Sequence, residues 1–549
     1  MKILFISCLK INHARLRQVA LSDDAPNLTE LFGSSTLPLG ILSIEAFVKK
    51  HCPNVLTEVV SLDLQFMNRI RRSGDIKREI RRIADHFADF LTKEIKESIQ
   101  REKPDVIGLS TLFDVQLPVL SMIVTEIDKF MPDALIIAGG HPVTNMPAKV
   151  LEQNPRLDAI CAGEGEIPFA ELVNAPDKKA FISQSKQFIS RQKIDEGVVP
   201  EYRFVENLDD IPSIYESSFF ETHGDDIFFN NNNTLDESFV KQGVLMTSRG
   251  CPYRCVFCAS HAIHGRQMRA NSVGRVKKEI DLLHSKYRIE NVVIVDDHFL
   301  FDVERAIEIV DDIGKKNMGV RFINGLAITP ITQEFVACLV RNNVKEVWLA
   351  LESGSPRVLR DVIHKPLTLD VAKNVFDYFK GTDIFISVFL VIGLPGETIS
   401  DINESLTFLR DADFHWGIIS PAIPVSGSAL NDIFIDSGRE YDVEKAHFFA
   451  ENFVAKEVAE HFNGDVKYTV NLDINFVHNP YMRMGEYAKA SKRFEALIAL
   501  YPEHAFAHYY LEKCLERLGK AKGKHISVFR DIVSRSEYWR NYADFFNLI

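Results

Sequence analysis

The sequence predicts an α/β protein with more than one domain, and three observations support this fold class. Short apolar runs alternate with segments of helical spacing over residues 1–180 and again over 241–430. This alternation is typical of parallel sheets covered by helices. Residues 431–549 have helical spacing without strand-like runs. A chain of 549 residues is also too long for a single hydrophobic core.

The first β/α region, residues 1–180, is predicted to form a doubly wound, Rossmann-like parallel sheet. Ligands of such sheets bind at the carboxyl ends of the strands. The expected elements are strand Lys2–Ser7, helix Leu39–Lys50, strand Leu56–Leu62, helix Asp75–Arg101, strand Asp105–Ser110, helix Val119–Phe130, strand Ala134–Ala138, helix Ala148–Gln153 and strand Ala159–Ala162.

The second β/α region, residues 241–430, is predicted to form an incomplete barrel of six β/α units, with its chemistry at the strand ends. Residues 181–240 are polar, include the Asn230–Asn233 tract, and are expected to be a linker on the surface. The expected strands are Val244–Thr247, Val292–Val295, Val320–Ile323, Val347–Leu351, Phe385–Ile392 and Ile418–Ala422, with helices near 273–287, 303–316, 332–342, 370–380 and 400–411.

Composition and charge exclude several classes of protein. The net charge of -12 argues against a nucleic-acid binder, because phosphate neutralisation requires clustered Lys and Arg. No run of about 18 apolar residues occurs, so no membrane span is expected. The N-terminal run Met-Lys-Ile-Leu-Phe-Ile-Ser is short and is interpreted as a first strand, not a signal peptide. Eight cysteines in this length are not a disulfide framework, which favours a reducing, cytoplasmic location.

Three cysteines, Cys251, Cys255 and Cys258, lie within one short segment with the spacing C-x3-C-x2-C. Three thiolates on one loop can bind three irons of a [4Fe–4S] cluster and leave the fourth iron open. A structural zinc site would require a fourth ligand, for which His261 and His264 are the candidates. A chance grouping of buried cysteines is the third interpretation.

This cysteine motif resembles the signature of the radical S-adenosylmethionine (SAM) enzymes. The resemblance implies that SAM chelates the open iron and is cleaved to methionine and a 5′-deoxyadenosyl radical. It also implies an aromatic contact with the adenine from Phe257, just before the last cysteine. The protein itself then positions the cofactor and excludes water.

The same resemblance assigns SAM-binding positions at three strand ends of the barrel. Glu352 and the turn Gly393-Leu-Pro395-Gly396 match positions that contact the ribose and adenine, and Asp296 or Asp297 matches the methionine end. Helix capping is the alternative for the two aspartates, and a surface carboxylate is the alternative for Glu352. Three further side chains there are candidates for substrate contact, although a structural role is the more common one: His298, His364 and Lys365.

The loops after the strands of the first domain are rich in glycine, which permits close approach of a flat ligand to the backbone. They resemble the cobalamin-binding domain that precedes many radical SAM domains. The matching elements are Ser110 and Leu112 (S-x-L), Gly139 and Gly140 (GG), the run Gly163-Glu164-Gly165-Glu166, and the turn Leu37-Pro-Leu-Gly40.

One element of other cobalamin proteins is missing. No D-x-H-x-x-G loop follows the first strand, since Asn12-His13 does not match that pattern. The resemblance therefore implies cobalamin bound without a lower histidine ligand. A flavodoxin-like domain that binds another ligand is the alternative interpretation of the glycine loops.

Together the two resemblances imply a cobalamin-dependent radical SAM enzyme, and a methyltransferase acting on an unactivated carbon is the expected activity. The implied partners are a small-molecule or peptide substrate and an electron donor such as flavodoxin or ferredoxin. The alternatives are an oxidative cyclase or rearrangement enzyme with the same cofactors, and a non-enzymatic iron–sulfur scaffold. A methylthiotransferase, suggested by Cys8, Cys52 and Cys161, is disfavoured by the wide spacing of these cysteines and the acidic chain.

The C-terminal region, residues 431–549, resembles a tetratricopeptide repeat followed by part of a second, from Ala505 to Gly519. So few repeats cannot bury a core alone, so we expect them to pack on the barrel. A helical lid or cap is the favoured role, and a docking site for a protein partner is the alternative. The residues that carry this pattern are Tyr481, Gly485, Tyr487, Ala490, Phe494, Leu497 and Pro502.

The cysteine motif gives a direct test. Replacing Cys251, Cys255 and Cys258 by Ala should abolish the visible iron–sulfur absorption and all deoxyadenosine formation, because these thiolates are the expected iron ligands. Replacing Cys8 or Cys338 should change neither, which makes these variants the control. Retention of about four irons per chain together with SAM cleavage in the triple variant would contradict the assignment.

Overall fold

The computed structural model describes residues 1–11, 13–21, 37–227, 229–230, 240–439, 454–520 and 522–549. Most of the Asn230–Asn233 tract, and part of the predicted linker and of the C-terminal region, lie outside these described residues.

The N-terminal domain contains the expected parallel sheet, with strand order β2-β1-β3-β4-β5-β6. Strands β1 to β5 pair in parallel, and β6 adds antiparallel to β5, so the sheet extends beyond the boundary predicted at residue 180. Placing β1 between β2 and β3 makes the sheet doubly wound. The strands are β1 (Lys2–Ser7), β2 (Leu56–Ser61), β3 (Val106–Thr111), β4 (Leu135–Gly140), β5 (Ala159–Cys161) and β6 (Phe188–Ile189).

The helices of this domain differ from the prediction at one long segment. The helix predicted over Asp75–Arg101 is broken at His86, where φ is −126°. Ile83 and Phe87 keep helical spacing across the break, so the sequence carries no sign of it. The helices are His13–Leu21, Leu39–His51, Leu62–Arg72, Ile76–Asp85, Phe87–Glu102, Leu117–Phe130, His141–Asn145, Pro147–Gln153, Glu166–Asn174, Lys178–Gln184 and Arg191–Asp195.

The segment between the domains is partly buried, which corrects the expectation of a surface linker. Tyr215, in the short helix Ile214–Glu216, is fully buried. Its hydroxyl donates to the carbonyl of Val244 and accepts from the amide of Val244 at 3.1 Å. One apolar cluster runs from Phe5 of the first sheet through Tyr215 to Val292 of the barrel. The two domains therefore share a continuous core.

The barrel consists of two four-stranded sheets, with strand orders β12-β11-β8-β7 and β13-β14-β15-β16. All of these pair in parallel except β7 with β8, and a turn containing Gly325 joins β12 to β13. The open arc of β/α units agrees with the prediction. The strands are β7 (Phe229–Asn230), β8 (Val240–Leu245), β9 (Ser248–Arg249), β10 (Arg269–Ala270), β11 (Asn291–Ile294), β12 (Gly319–Phe322), β13 (Leu326–Ala327), β14 (Glu346–Glu352), β15 (Phe385–Ile392) and β16 (Trp416–Pro421).

The barrel helices lie where their caps predict. Thr332, Thr368 and Thr398 each accept, through the side chain, a backbone N–H of the first turn. The helices of this part of the chain are Ser218–Ile227, His261–His264, Val273–Ser285, Val303–Lys315, Gln333–Arg341, Leu369–Tyr378, Ile399–Asp411 and Ala429–Asp436.

Residues 454–520 and 522–549 of the C-terminal region pack on the barrel, as expected, but at the end opposite to the one expected of a lid. Their apolar core contacts Phe385 and Trp416, the first residues of β15 and β16. The buried Asn475 amide also donates to the carbonyl of Gly417 at 2.8 Å, and its oxygen accepts from the Gly417 amide at 2.8 Å. The helices are Lys456–His461, Val466–Leu472, Pro480–Arg483, Tyr487–Leu500, Ala505–Arg517, Lys524–Arg535 and Glu537–Phe545.

These contacts overturn the lid interpretation for residues 454–520 and 522–549, because the chemistry of such barrels lies at the carboxyl ends of the strands. None of the helices within the described part of the chain is long and apolar enough to cross a membrane.

Asn475 provides a test of how the helical region is attached. Asn475→Ala should lower the free energy of unfolding by about 1–3 kcal/mol, because the amide and the carbonyl of Gly417 each lose a hydrogen-bond partner in a buried site. Urea titration followed by circular dichroism measures this. Lys513→Ala, which removes an exposed pair with Glu516, should change stability by less than about 0.5 kcal/mol. Equal effects of the two substitutions would contradict the proposed docking contact.

Candidate functional site

The carboxyl ends of the parallel strands of the N-terminal domain and those of the barrel face each other across the domain interface. Asp114, in the loop after β3, accepts from the Ser426 amide at 3.1 Å and from its hydroxyl at 2.6 Å. Ser426 lies in the loop after β16, and the Asn145 amide group donates to its carbonyl at 3.3 Å. Because ligands bind at these ends in both kinds of sheet, the interface is the candidate functional site.

The three cysteines lie on a loop that is closed at its base by the antiparallel ribbon β9–β10, with Arg249 opposite Arg269. The rest of the loop is fastened to the barrel. The Val256 amide donates to the Ile363 carbonyl at 3.0 Å, and the Val256 carbonyl accepts from the Leu430 amide at 2.9 Å. Val256 is buried in a small apolar cluster, against which Phe257 packs. The loop is thus held on three sides by backbone hydrogen bonds and packing.

The cysteine side chains are partly accessible to a ligand. Cys251, Cys255 and Cys258 are all half-buried. Among the described residues no three His, Cys, Asp or Glu side chains converge as ligands of one metal ion. The ring of His264, a candidate zinc ligand, has its Nδ1 only 2.7 Å from Glu164 Oε1.

Burial favours the protonated form of two of these thiols, those of Cys255 and Cys251. Burial raises the pKa of Cys255 to about 11, Lys365 opposes this shift, and Glu352 adds to it. Burial also raises the pKa of Cys251. Because the thiolate is the form that binds metal, iron must displace these protons.

The Asp296 carboxylate is held by hydrogen bonds from residues at the start of the cysteine loop. Its Oδ1 accepts from the Thr247 amide at 2.6 Å, and its Oδ2 accepts from the hydroxyls of Thr247 and Ser248, each at 2.6 Å. Burial raises its pKa to about 6, although these hydrogen bonds and Arg305 act in the opposite direction. Asp296 therefore anchors the start of the cysteine loop, and half-exposed Asp297 remains the candidate for the methionine end of SAM.

Glu352 is held in an unusual conformation beside the cysteine loop. It ends β14 with φ of 72°, in the left-handed region, and the pairing with β15 shifts register at this point. Lys365 Nζ donates to its Oε1 at 3.0 Å, and both side chains are nearly buried. His364, the residue before Lys365, also has a positive φ, of 61°. Such conformations cost about 1–3 kcal/mol and are concentrated at functional sites.

The predicted turn after β15 is rigid. Gly393 and Gly396 have φ of 82° and 72°. Glu397 Oε2 accepts from the Gly393 amide at 2.6 Å and from the Leu394 amide at 3.2 Å. Burial raises the pKa of Glu397 to about 7, against the effect of these two amides. This side chain therefore fixes the shape of the turn that carries Pro395.

The corrin-binding edge predicted for the first domain is formed by close backbone contacts and exposed apolar groups. Gly140 has φ of 104°, and a Cβ there would lie 1.9 Å from the Thr111 carbonyl oxygen. The neighbouring β3 and β4 ends carry Ser110 and Gly139 in register. Leu112 and Phe113 follow and are 54% and 50% exposed. Exposed apolar side chains around a glycine edge fit a large flat ligand.

The Glu164 side chain lies in the domain interface. Gly163 has φ of 74° and donates through its amide to the Thr144 hydroxyl at 3.2 Å. The Glu164 carboxylate turns into the domain interface, where Arg269 donates to both its oxygens, at 2.6 and 3.0 Å. Arg249 Nη1 lies 3.2 Å from Oε2. The Glu164 side chain is therefore occupied by the barrel domain.

Sequence reasoning missed several members of this site. Arg249, Arg269 and Asp114 carried no recognisable motif, although Arg249 stands two residues before the first cysteine. The ring of His298, a candidate for substrate contact, lies 4.9 Å from that of Tyr253 on the cysteine loop. Its buried Nδ1 has no hydrogen-bond partner among the described residues.

Comparison with protein families matches both halves of the site. Residues 30–173 match the B12 binding domain, and residues 245–409 match the Radical SAM superfamily. These ranges contain the glycine loops and the three cysteines, respectively.

Curated relatives align over both regions. An uncharacterised methyltransferase, PH0819, of Pyrococcus horikoshii is 27% identical over 66% of this chain and 75% of its own length. The cytidylyl-2-hydroxyethylphosphonate methyltransferase of Streptomyces wedmorensis is 26% identical over 60% and 66%. The anaerobic magnesium-protoporphyrin IX monomethyl ester cyclase of Rubrivivax gelatinosus is 24% identical over 66% and 65%. The chain thus spans about two thirds of the length of the last two proteins.

Solved structures share the fold. The cobalamin-dependent SAM radical enzyme OxsB, determined with aqua-cobalamin, covers 99% of this chain and 80% of its own, with a TM-score of 0.60 and 15% identity. The radical SAM methyltransferase TsrM from Kitasatospora setae, with cobalamin and a [4Fe–4S] cluster, covers 79% and 75%, with a TM-score of 0.54 and 15% identity. With the glycine loops of one domain facing the cysteine loop of the other, the chain is a cobalamin-dependent radical SAM enzyme, whose cofactors are a [4Fe–4S] cluster, SAM and cobalamin.

Proposed function

We propose that this protein transfers a methyl group to an unactivated carbon of a small-molecule substrate. One observation carries the proposal: the ligand-binding ends of both sheets meet at a single interface, through Asp114 and Ser426. A substrate between them has access to both cofactors at once. Ligand sites are common at such domain interfaces.

The names of the relatives favour methylation over other radical chemistry. Both PH0819 and the Streptomyces wedmorensis protein are named methyltransferases. Their identities, near one quarter of the aligned residues, support a reaction class and not a particular substrate.

The residues of this chain have separable roles in the proposal. Cys251, Cys255 and Cys258 hold the cluster, and the β9–β10 ribbon fixes their loop. Lys365 and Glu352 place a paired charge beside that loop, for the polar end of SAM and its ribose. When bound, the cluster and SAM supply a hydrogen-abstracting radical, and cobalamin supplies the methyl group. The apolar Leu112 and Phe113 cover the corrin side and exclude water.

The remaining assigned positions belong to the same proposal. Phe257 and the backbone of Gly393, Pro395 and Gly396 are proposed to contact the adenine, and Asp297 replaces Asp296 at the methionine end. The corrin is proposed to lie on Ser110, Leu112, Gly139, Gly140 and Gly163.

An oxidative cyclase is the second candidate function, because the Rubrivivax gelatinosus cyclase is similar over the same share of the chain. Both candidates use the same cofactors. They differ in whether the product gains a methyl group.

The proposal also includes the location and partners of the protein. We expect a cytoplasmic location, a flavodoxin or ferredoxin as electron donor, and a protein partner at the C-terminal helices.

Product analysis separates the two functions. The protein, purified without oxygen and reconstituted with cluster and cobalamin, should convert a phosphonate or other small-molecule substrate to a product heavier by one methylene. It should form both S-adenosylhomocysteine and 5′-deoxyadenosine. Deuterium from the methyl group of labelled SAM should appear in the product. An unlabelled product with deoxyadenosine alone would instead establish the cyclase or rearrangement reaction.

Gly140 tests the cobalamin edge. Gly140→Ala should lower the free energy of unfolding by about 1–3 kcal/mol and abolish cobalamin uptake, because the new methyl group meets the Thr111 carbonyl. Gly197→Ala is the matched control, since Gly197 also has a positive φ, of 67°, but nothing within 4 Å of its Cβ position. Cobalamin binding is measured by the absorbance retained after gel filtration. Normal uptake by the Gly140 variant would place the corrin elsewhere.

A further inference from the structure

The base of the cysteine loop carries two arginines that face each other. Arg249 and Arg269 are paired residues of the β9–β10 ribbon. Only 8% and 5% of their surfaces are exposed. Like charges directly opposite each other destabilise a strand pair, and buried cations require a partner. The ribbon that closes the loop therefore depends on a counter-charge from elsewhere in the molecule.

Two carboxylates of the cobalamin-binding domain, Glu164 and Glu166, supply that counter-charge, and Glu164 is the one that contacts both arginines. Glu164 is 4% exposed, and its two oxygens accept from Arg269 at 2.6 and 3.0 Å. The same carboxylate lies 3.2 Å from Arg249 Nη1 and 2.7 Å from His264 Nδ1. Burial alone would raise the pKa of Glu164, but Arg249, with His264 and Arg269, holds it well below its usual range. Glu164 is thus ionised at neutral pH.

The surrounding contacts fix the carboxylate and the arginines in this geometry. Glu166 Oε1 lies 2.8 Å from Arg249 Nη2 and accepts from the Ser43 hydroxyl at 2.5 Å. Gln187 donates to the Glu164 carbonyl at 2.8 Å. On the barrel side, Arg269 also donates to the His264 carbonyl at 3.0 Å. His264 ends the helix that begins three residues after Cys258, so the network reaches both ends of the loop.

We propose that Glu164 is a positioning residue that locks the cluster-binding loop to the corrin-binding edge. Gly163 belongs to that edge and precedes Glu164 in the chain. The loop at Gly140 is attached in the same region, because the helix His141–Asn145, which follows Gly140, packs on the helix His261–His264. Displacing Glu164 would remove the contacts of Arg269 and His264 with the first domain and leave Arg249 paired with Glu166. We infer that this contact keeps the two cofactors at a fixed separation, and this role rests on the proposed function. The contact itself is seen in the structure.

Glu164→Gln tests the proposal, because glutamine keeps the shape of the side chain and removes its charge. In the full-length protein without cofactors, amide hydrogen exchange in residues 250–269 should accelerate on the order of a hundredfold, as expected when buried guanidinium groups lose their counter-charge. In the reconstituted protein, the magnetic interaction between the reduced cluster and Co(II), measured by electron paramagnetic resonance, should weaken. Neither measurement requires turnover.

Glu171→Gln is the matched control. Glu171 lies on the helix that follows Glu164 and pairs with Arg203 at 2.7 Å, but this pair is exposed to solvent. Exposed pairs contribute little to stability, so exchange in 250–269 and the magnetic interaction should match the wild type.

If Glu164→Gln does not fold, Glu164→Asp replaces it, since aspartate keeps the charge but withdraws it by one methylene. Intermediate exchange rates and an intermediate magnetic interaction in this variant would support the proposal. Wild-type values of both in the tested variant would overturn it. If the variant shows the expected effects but the wild-type protein transfers no methyl group, the proposed function is wrong and Glu164 remains a positioning residue.

Discussion

The buried charge cluster around Glu164 is the interaction on which the domain arrangement depends. It joins one carboxylate of the first domain to two arginines at the base of the cysteine loop. Burying such charges is unfavourable unless each is paired and hydrogen-bonded. Once paired they define a single geometry, because any displacement of one domain leaves a buried charge without its partner. The continuous apolar core beneath supplies the attraction, and the charges specify the position.

Two residues beside the cysteine loop have strained backbone conformations that place a charged pair next to it. Glu352 and His364 both adopt left-handed backbone conformations, which L-residues other than glycine seldom do. These conformations bring Lys365 and Glu352 together as a nearly buried ion pair beside Cys255. Asp296 contributes differently, by receiving three hydrogen bonds from Thr247 and Ser248 at the entrance to the loop. Both devices fix the loop before any cofactor binds, so less ordering is required on binding.

The candidate functional site and the contacts of the C-terminal helices lie at opposite ends of the barrel. The cysteine loop, the turn at Gly393 and the loop at Ser426 all follow the carboxyl ends of strands. The C-terminal helices contact the opposite ends, at Phe385 and Trp416. At these ends the side-chain amide of Asn475 makes two hydrogen bonds with the backbone of Gly417, as a neighbouring strand would. The helical region therefore covers an edge of the sheet that would otherwise be open.

The sequence by itself determined the order of strands and helices, the cysteine loop and the glycine loops, because these depend on local spacing and on residue types with few alternatives. Tertiary structure decided the rest. The break at His86 is invisible because the apolar spacing continues through it. Asp296 and Glu164 are carboxylates after strands, as cofactor contacts would be, yet their hydrogen bonds come from residues distant in sequence. The lid interpretation was wrong for the described helices because their apolar faces do not encode which end of the barrel they cover. Side chains whose partners lie in another domain can be assigned only once the two domains are packed together.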